Sequence, residues 1–186
     1  MEIRAARPDE YSRVGDLTVA AYRTLPVDHL FGGYDEEIRD VAGRAETAEI
    51  LVAALADDVV GAVTFVTDPE SPWLEWCEPG DVQFRLLAVD TAARGTGAGR
   101  ALARHCVERA RSLRRPLAIH TTPWMVTARA MYERMGFERR PAHDKVVWTG
   151  RSDRPEGAAA VLHFPDAPAE AEGMRFLAYR LDVLAR

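Results

Sequence analysis

The stretch that decides the fold runs Val82-Gln83-Phe84-Arg85-Leu86-Leu87-Ala88-Val89-Asp90, then Thr91-Ala92-Ala93, then Arg94-Gly95-Thr96-Gly97-Ala98-Gly99-Arg100. Residues 82–89 are apolar on both faces near their end, as in a strand at the centre of a sheet. A helix is predicted from about Ala98 to Leu113, with Leu102, Cys106, Ala110 and Leu113 as its buried stripe. Strand, glycine loop and helix in this order put several backbone amides at a helix N-terminus. Orphan N–H groups and the positive end of the helix dipole favour an anion there. Glycine keeps Cβ atoms out of its way. The loop lacks the Gly-Lys-Ser/Thr ending of a triphosphate loop. It also departs from the dinucleotide fingerprint, because Gly95, Gly97 and Gly99 are evenly spaced and position 100 is Arg. Taken alone, such a loop reads equally well as a tight strand-to-helix turn.

Working outward, Ile50–Leu55 and Val59–Val66 are β-branched and apolar around Asp57-Asp58, which predicts a hairpin. Before them, Arg7-Pro8-Asp9-Glu10 marks a helix start, with Tyr11, Val14, Leu17 and Ala21 at helical spacing. Residues 34–47 suggest a second helix opened by Asp35, Glu36 and Glu37. The segment 68–80 carries Pro69, Pro72 and Pro79 and must be a loop. Downstream, Arg115-Pro116 ends the long helix and Leu117–Thr121 is a short buried strand. Pro123 opens another helix with Ala128, Met131 and Met135 on one face and Gly136 as its cap. Strands are expected at 145–148, 159–164 and 174–183, with an irregular excursion over 149–173. Strands alternating with helices imply a mixed α/β sheet.

With 186 residues the chain suits a single domain spanning 1–186. Its formal charge of -5 argues against a nucleic-acid partner. No apolar run approaches the roughly 20 residues of a membrane span, and residues 1–7 lack the apolar run of a signal peptide. Cys77 and Cys106 have no neighbour at metal-ligand spacing. Cys106 falls on a helix's apolar face, Cys77 in a loop where it could be exposed, and both suit inert thiols of a reducing cytoplasm. Among His29, His105, His120, His143 and His163 no pair has metal-binding spacing, so no metal is expected. His120, at the end of the strand 117–121, is the histidine worth testing.

The loop does not stand alone. Phe84–Asp90 followed by Arg94–Leu102 resembles the central motif of the GNAT acetyltransferase superfamily, whose Gln/Arg-x-x-Gly-x-Gly/Ala pattern is matched by Arg94, Gly97 and Gly99. Ala128-x-x-Met131-Tyr132-x-x-x-Gly136-Phe137 resembles the family's Ala-x-x-Leu-Tyr-x-x-x-Gly-Phe. Together they cover about 82–140, the motif-bearing core. The resemblance implies a mostly antiparallel central sheet flanked by helices, with two central strands splayed apart. Acetyl-CoA would be the co-substrate. Leu87, Ala88 and Val89 would line its pantetheine arm, and Arg94, Gly95, Thr96, Gly97, Ala98, Gly99 and Arg100 would hold its pyrophosphate. The implied activity is acetyl transfer to a primary amine by direct attack in a ternary complex, by a monomer or homodimer. The alternative is a CoA-binding sensor or interaction module.

Acyl transfer needs a neutral amine, a stabilised oxyanion and a protonated leaving thiolate. The resemblance carries the last role onto Tyr132; as a bland residue Tyr132 would simply pack in the core. The Val89 amide could serve the oxyanion. Some relatives carry Glu where this chain has Gln83, leaving Asp81, Glu75, Glu78 or water as the base. Met125 stands where many relatives have a cofactor-contacting Asn. The acceptor, a small molecule or a peptide, would enter between the first helices, the loop 69–80 and the C-terminal strands. Asp28, Asp35, Glu36, Glu75, Glu78 and Asp81, with Trp73 and Trp76, suggest a cationic or amphiphilic acceptor or else an ordinary acidic surface.

Overall fold

A computed structural model describes residues 1–24, 34–148, 160–163 and 173–183. Strand β1 (Glu2–Ala5), which the sequence pattern did not announce, leads into α1 (Tyr11–Tyr22). The expected second helix is two: α2 (Tyr34–Arg39) and α3 (Val41–Ala45). The break is at Asp40, whose extended ψ of 79° leaves the helix while its carboxylate accepts the Gly43 N–H and caps the next turn. The hairpin forms as β2 (Glu49–Leu55) and β3 (Asp58–Val66). Then follow β4 (Val82–Val89), α4 (Ala98–Leu113), β5 (Leu117–Thr121), α5 (Val126–Arg134), β6 (Glu138–Arg139), β7 (Lys145–Trp148), β8 (Ala160–His163) and β9 (Gly173–Leu181). Apart from β8 and Gly173, the excursion expected over 149–173 lies outside the described residues, as do Asp28 and His29.

The described strands form one sheet in the order β1-β2-β3-β4-β5-β9-β7-β8, with β6 on β9. Every pairing is antiparallel except β4 with β5. Alternation along β2 divides the core. Leu51 and Ala53 pack with α4 residues Leu102, Ala103 and Cys106, and with Tyr132 and Phe137. Ile50 and Val52 pack with α1 residues Val14 and Leu17 and with Val41 of α3. The period of two therefore buries both faces: helices α1 and α3 cover the front, α4 and α5 the back. Leu113, expected in the buried stripe, is 41% exposed. It is the last residue of α4, where the chain turns through Arg114 in a left-handed conformation and leaves the core. Helix α5 begins at Val126, later than Pro123 suggested, and ends on a Schellman turn. Phe137 N–H donates to the Tyr132 carbonyl, and Gly136 takes φ +93°.

Candidate active site

Strand β4 changes which way its backbone faces midway along. The Val82 N–H donates to the Pro116 carbonyl, toward β5. The Asp90 N–H donates to the Val60 carbonyl, toward β3. Positions of the same parity would point the same way in a regular strand, so one extra residue has been inserted. The register locates it: Ala62 faces Ala88 while Thr64 faces Arg85. Leu86 sits at this bulge with φ +53°, a conformation costly for a non-glycine residue. Only Val82 and Gln83 pair with β5, through Leu117 and Ala118. Beyond them the two strands splay, and the bulge turns the peptide groups of Leu87 and Val89 onto the opened edge. This is the splay expected of the central strands.

The glycine loop closes that end. Asp90 accepts the Ala92 N–H and starts a short 3-10 turn over Thr91–Ala93. Gly95 and Gly97 follow with φ +85° and +89°, and a Cβ built on either would meet nothing within 4 Å. Those positions therefore need glycine for backbone conformation and leave open space in front of them. Gly99 answers a different demand: its Cβ would stand 3.3 Å from Val89 Cγ2, where α4 crosses the sheet. The first backbone bond of α4 is Ala101 N–H to the Gly97 carbonyl. Among the described residues, the amides of Gly95, Gly97, Ala98, Gly99 and Arg100 have no acceptor. Arg94 reaches over to the turn that follows α1, its Nη2 3.4 Å from Thr24 Oγ1. Thr96 turns inward instead and donates its hydroxyl to the Ala93 carbonyl. The orphan amides, the open space and the unpaired edge of β4 suit a phosphate-bearing thioester. On β5's side, Thr122 Oγ1 is buried without a partner among the described residues. Thr122 carried no sequence signal, because nothing in its neighbourhood of the chain marks it. The Met125 sulfur accepts from the Thr121 hydroxyl at 3.5 Å.

Tyr132 lies on the back face, 5% exposed. Its ring packs at 5.7 Å from Phe84 and 5.8 Å from Phe137, centroid to centroid. The phenol is pushed up by burial, with a further push from Cys106. It stays protonated across the neutral range.

The acids proposed as bases are differently employed. Asp81 is 1% exposed, bound by Arg180 at 3.0 Å and by the Glu78 N–H. Glu78 pairs with Arg180 at 3.6 Å and with His143 at 3.4 Å. Glu75 pairs with Arg85 at 2.9 Å and keeps about a third of its side chain exposed, 36%. Gln83 is a clasp: Oε1 accepts the Glu75 N–H, while Nε2 donates to the Glu75 carbonyl and faces His120 Nδ1 at 3.3 Å. The Glu75 contacts orient the amide, so Gln83 is the donor to His120 and the ring proton resides on Nε2. Burial, aided by Arg85 and Lys145, lowers the His120 pKa to about 4. His120 is therefore a neutral donor with its acceptor nitrogen occupied. It lines a shallow recess with Trp76, Glu78, Asp81 and Arg180. Cys77 is half-buried, its thiol pushed up to about 12 by burial, and Cys106 is in the core. Among the described residues no helix is long and apolar enough to cross a membrane.

The family model described as "Acetyltransferase (GNAT) family" matches residues 14–137. No curated protein matches the sequence. Among solved structures, an N-acetyltransferase from Staphylococcus aureus Mu50 has a TM-score of 0.65 at 15% identity, covering 98% of each chain. A ribosomal-protein-alanine N-acetyltransferase from Brucella melitensis has a TM-score of 0.64 at 17% identity, covering 97% of this chain and 99% of that one. The yncA protein of Salmonella typhimurium, solved with its cofactor acetyl-CoA, has a TM-score of 0.64 at 14% identity, covering 100% and 95%. At these identities the likeness speaks for the fold. The family match spans more than half of the chain, including the glycine loop and the Tyr132 element, and this chain belongs to the acetyltransferase (GNAT) family.

Proposed function

We propose that the protein transfers the acetyl group of acetyl-CoA to a primary amine by direct attack within a ternary complex. One observation carries the reading: five orphan amides at the start of α4 stand beside the opened edge of β4. The amides from Gly95 to Arg100 hold the pyrophosphate, with Arg94 at the rim and Thr96 and Ala98 shaping the turn. The peptide groups of Leu87 and Val89 bind the pantetheine amides, with Ala88 between them, and the Val89 N–H receives the developing oxyanion. The amine nitrogen attacks the thioester carbonyl carbon from the front face, and the carbon–sulfur bond breaks. Tyr132, kept protonated by burial, gives its proton to the departing thiolate.

Asp81 is sealed under Arg180, and the Gln83 amide has no basic lone pair. The ammonium proton therefore leaves through water, with Glu75 the partly exposed carboxylate able to receive it. The test is acetyl-CoA-dependent thiol release over a panel of primary amines, beside a melting curve with and without CoA. Thiol release that rises with a particular amine is the expected result. Stabilisation by CoA with no amine-dependent release across the panel would leave a CoA-binding module and overturn the catalytic reading.

A further inference from the structure

The acids on the acceptor side suggested a cationic ligand, but ion pairs hold four of them. Asp35 is held by Arg23 at 2.6 Å, Glu75 by Arg85, and Glu78 and Asp81 by Arg180. The cations are not absorbed in the same way. Arg44 of α3 is 1% exposed, yet it forms no ion pair with a described residue. Its Nη1 donates to the Ile38 carbonyl, and its Nε has no hydrogen-bond partner among the described residues. The nearby Asp40 carboxylate is occupied with the Gly43 N–H. Arg85 projects from β4 onto the same face. The two guanidinium carbons lie 5.6 Å and 5.2 Å from the centroid of the Trp73 ring. Tyr22 and Tyr34, with ring centroids 6.3 Å apart, complete the group. Trp73, Tyr22 and Tyr34 are half-buried.

Among the described residues, two guanidinium groups share one ion-paired carboxylate, Glu75, which leaves one positive charge without an ion pair in a largely desolvated place. Burial depresses the Arg44 pKa to about 10, and the Arg85 charge lowers it further against the opposing pull of Tyr34, Tyr22 and Asp40. Burial also pushes both phenols up, which keeps Tyr22 and Tyr34 neutral. A buried cation without its counter-charge is costly. A single carboxylate from a ligand would cancel the excess, and guanidinium forks suit carboxylates geometrically. Tyr22, Tyr34 and Trp73 pack against the cluster that contains Leu86, the bulged residue of β4, which sets the group beside the opened end of that strand.

We propose that the cluster of Arg44, Arg85, Trp73, Tyr22 and Tyr34 binds a carboxylate carried by the acceptor, so that the substrate is a small amine that is also an acid. The proposal rests on the acetyl-transfer reading and names the substrate class of that site. Its test is a binding measurement, so it stands apart from turnover. The CoA complex is titrated calorimetrically with 3-aminopropionate and with 3-aminopropanol, which share an amine and differ in the anion. The acid is expected to bind about 10- to 100-fold more tightly, the range of hydrogen bonds to a charged group. Arg85→Gln should erase the difference and leave the alcohol's affinity unchanged. Arg44→Met, with its fold checked by melting, should reduce the difference in the same direction. Equal affinity of the two ligands for the wild-type protein overturns the proposal, as does an Arg85→Gln variant that weakens both alike. Amine-dependent thiol release without preference for the acid would sink the substrate class and leave acetyl transfer standing.

Discussion

Tyr132→Phe separates catalysis from packing at this site. The tyrosine ring is a core element, edge-on to Phe84 and tilted against Phe137, and phenylalanine keeps those contacts. The hydroxyl makes no hydrogen bond to a described residue, so removing it leaves no polar group stranded. The stability change should stay within about 0.5 kcal/mol, a shift of less than about 2 °C in a chain of this length. Loss of a positioned general acid, in contrast, costs about 10²-fold in rate, or about 2.7 kcal/mol of barrier. The loss should appear in kcat, with KM for the amine and CoA affinity nearly unchanged. Because the folded phenol is raised above its usual value of about 10, it remains a proton donor throughout the neutral range. The wild-type rate should therefore show no alkaline fall from this group below about pH 10. The assay is steady-state thiol release with a responsive amine, alongside melting of both proteins. A Phe variant that keeps kcat within about threefold of wild type would refute the assignment. So would one that loses activity only in proportion to its loss of folded protein.

Gly97→Val forces a β-branched residue into φ +89° and fills the open space before the loop, so CoA affinity measured by calorimetry should fall at least about tenfold with little change in secondary structure. Glu10 accepts hydrogen bonds from Arg4 and from the Arg7 N–H, which lower its pKa from 4.5 to about 2. The stability from this shift is complete above the unfolded value and lost as pH falls through the folded one. Glu10→Gln should thus flatten the acid limb of the stability curve between about pH 4.5 and 2, measured by denaturant titration. Gln83→Glu restores the carboxylate of some relatives, but it places an acceptor against the Glu75 carbonyl and removes the donor to His120. It should lower the melting temperature without raising kcat; a faster enzyme would show that position 83 lacks only a base.

Local patterns made much of this legible. The glycine loop, the stripe at Leu102, Cys106 and Ala110, and the Gly136 cap are each written in a few neighbouring residues, and each formed where expected. Weak elements escaped for the same reason. β1 and β6 have four and two residues, and they exist because a neighbouring strand offers its edge. Leu113 shows the limit of periodicity, which identifies a stripe but not where the core beneath it ends.

From the sequence alone came the family, the order of strands and helices through the core, and the loop able to meet a phosphate, since all are short-range in the chain. Tertiary structure decided how the charges are spent. Asp81 meets Arg180 across the whole second half of the chain, Glu75 meets Arg85 around a proline-rich loop, and Arg44 is left with no carboxylate among the described residues. It also decided that Gln83 is a clasp and that a bulge at Leu86 turns Leu87 and Val89 to the open edge. A charge or a peptide group acts through whatever lies within a few ångströms of it. Only the folded chain determines those neighbours.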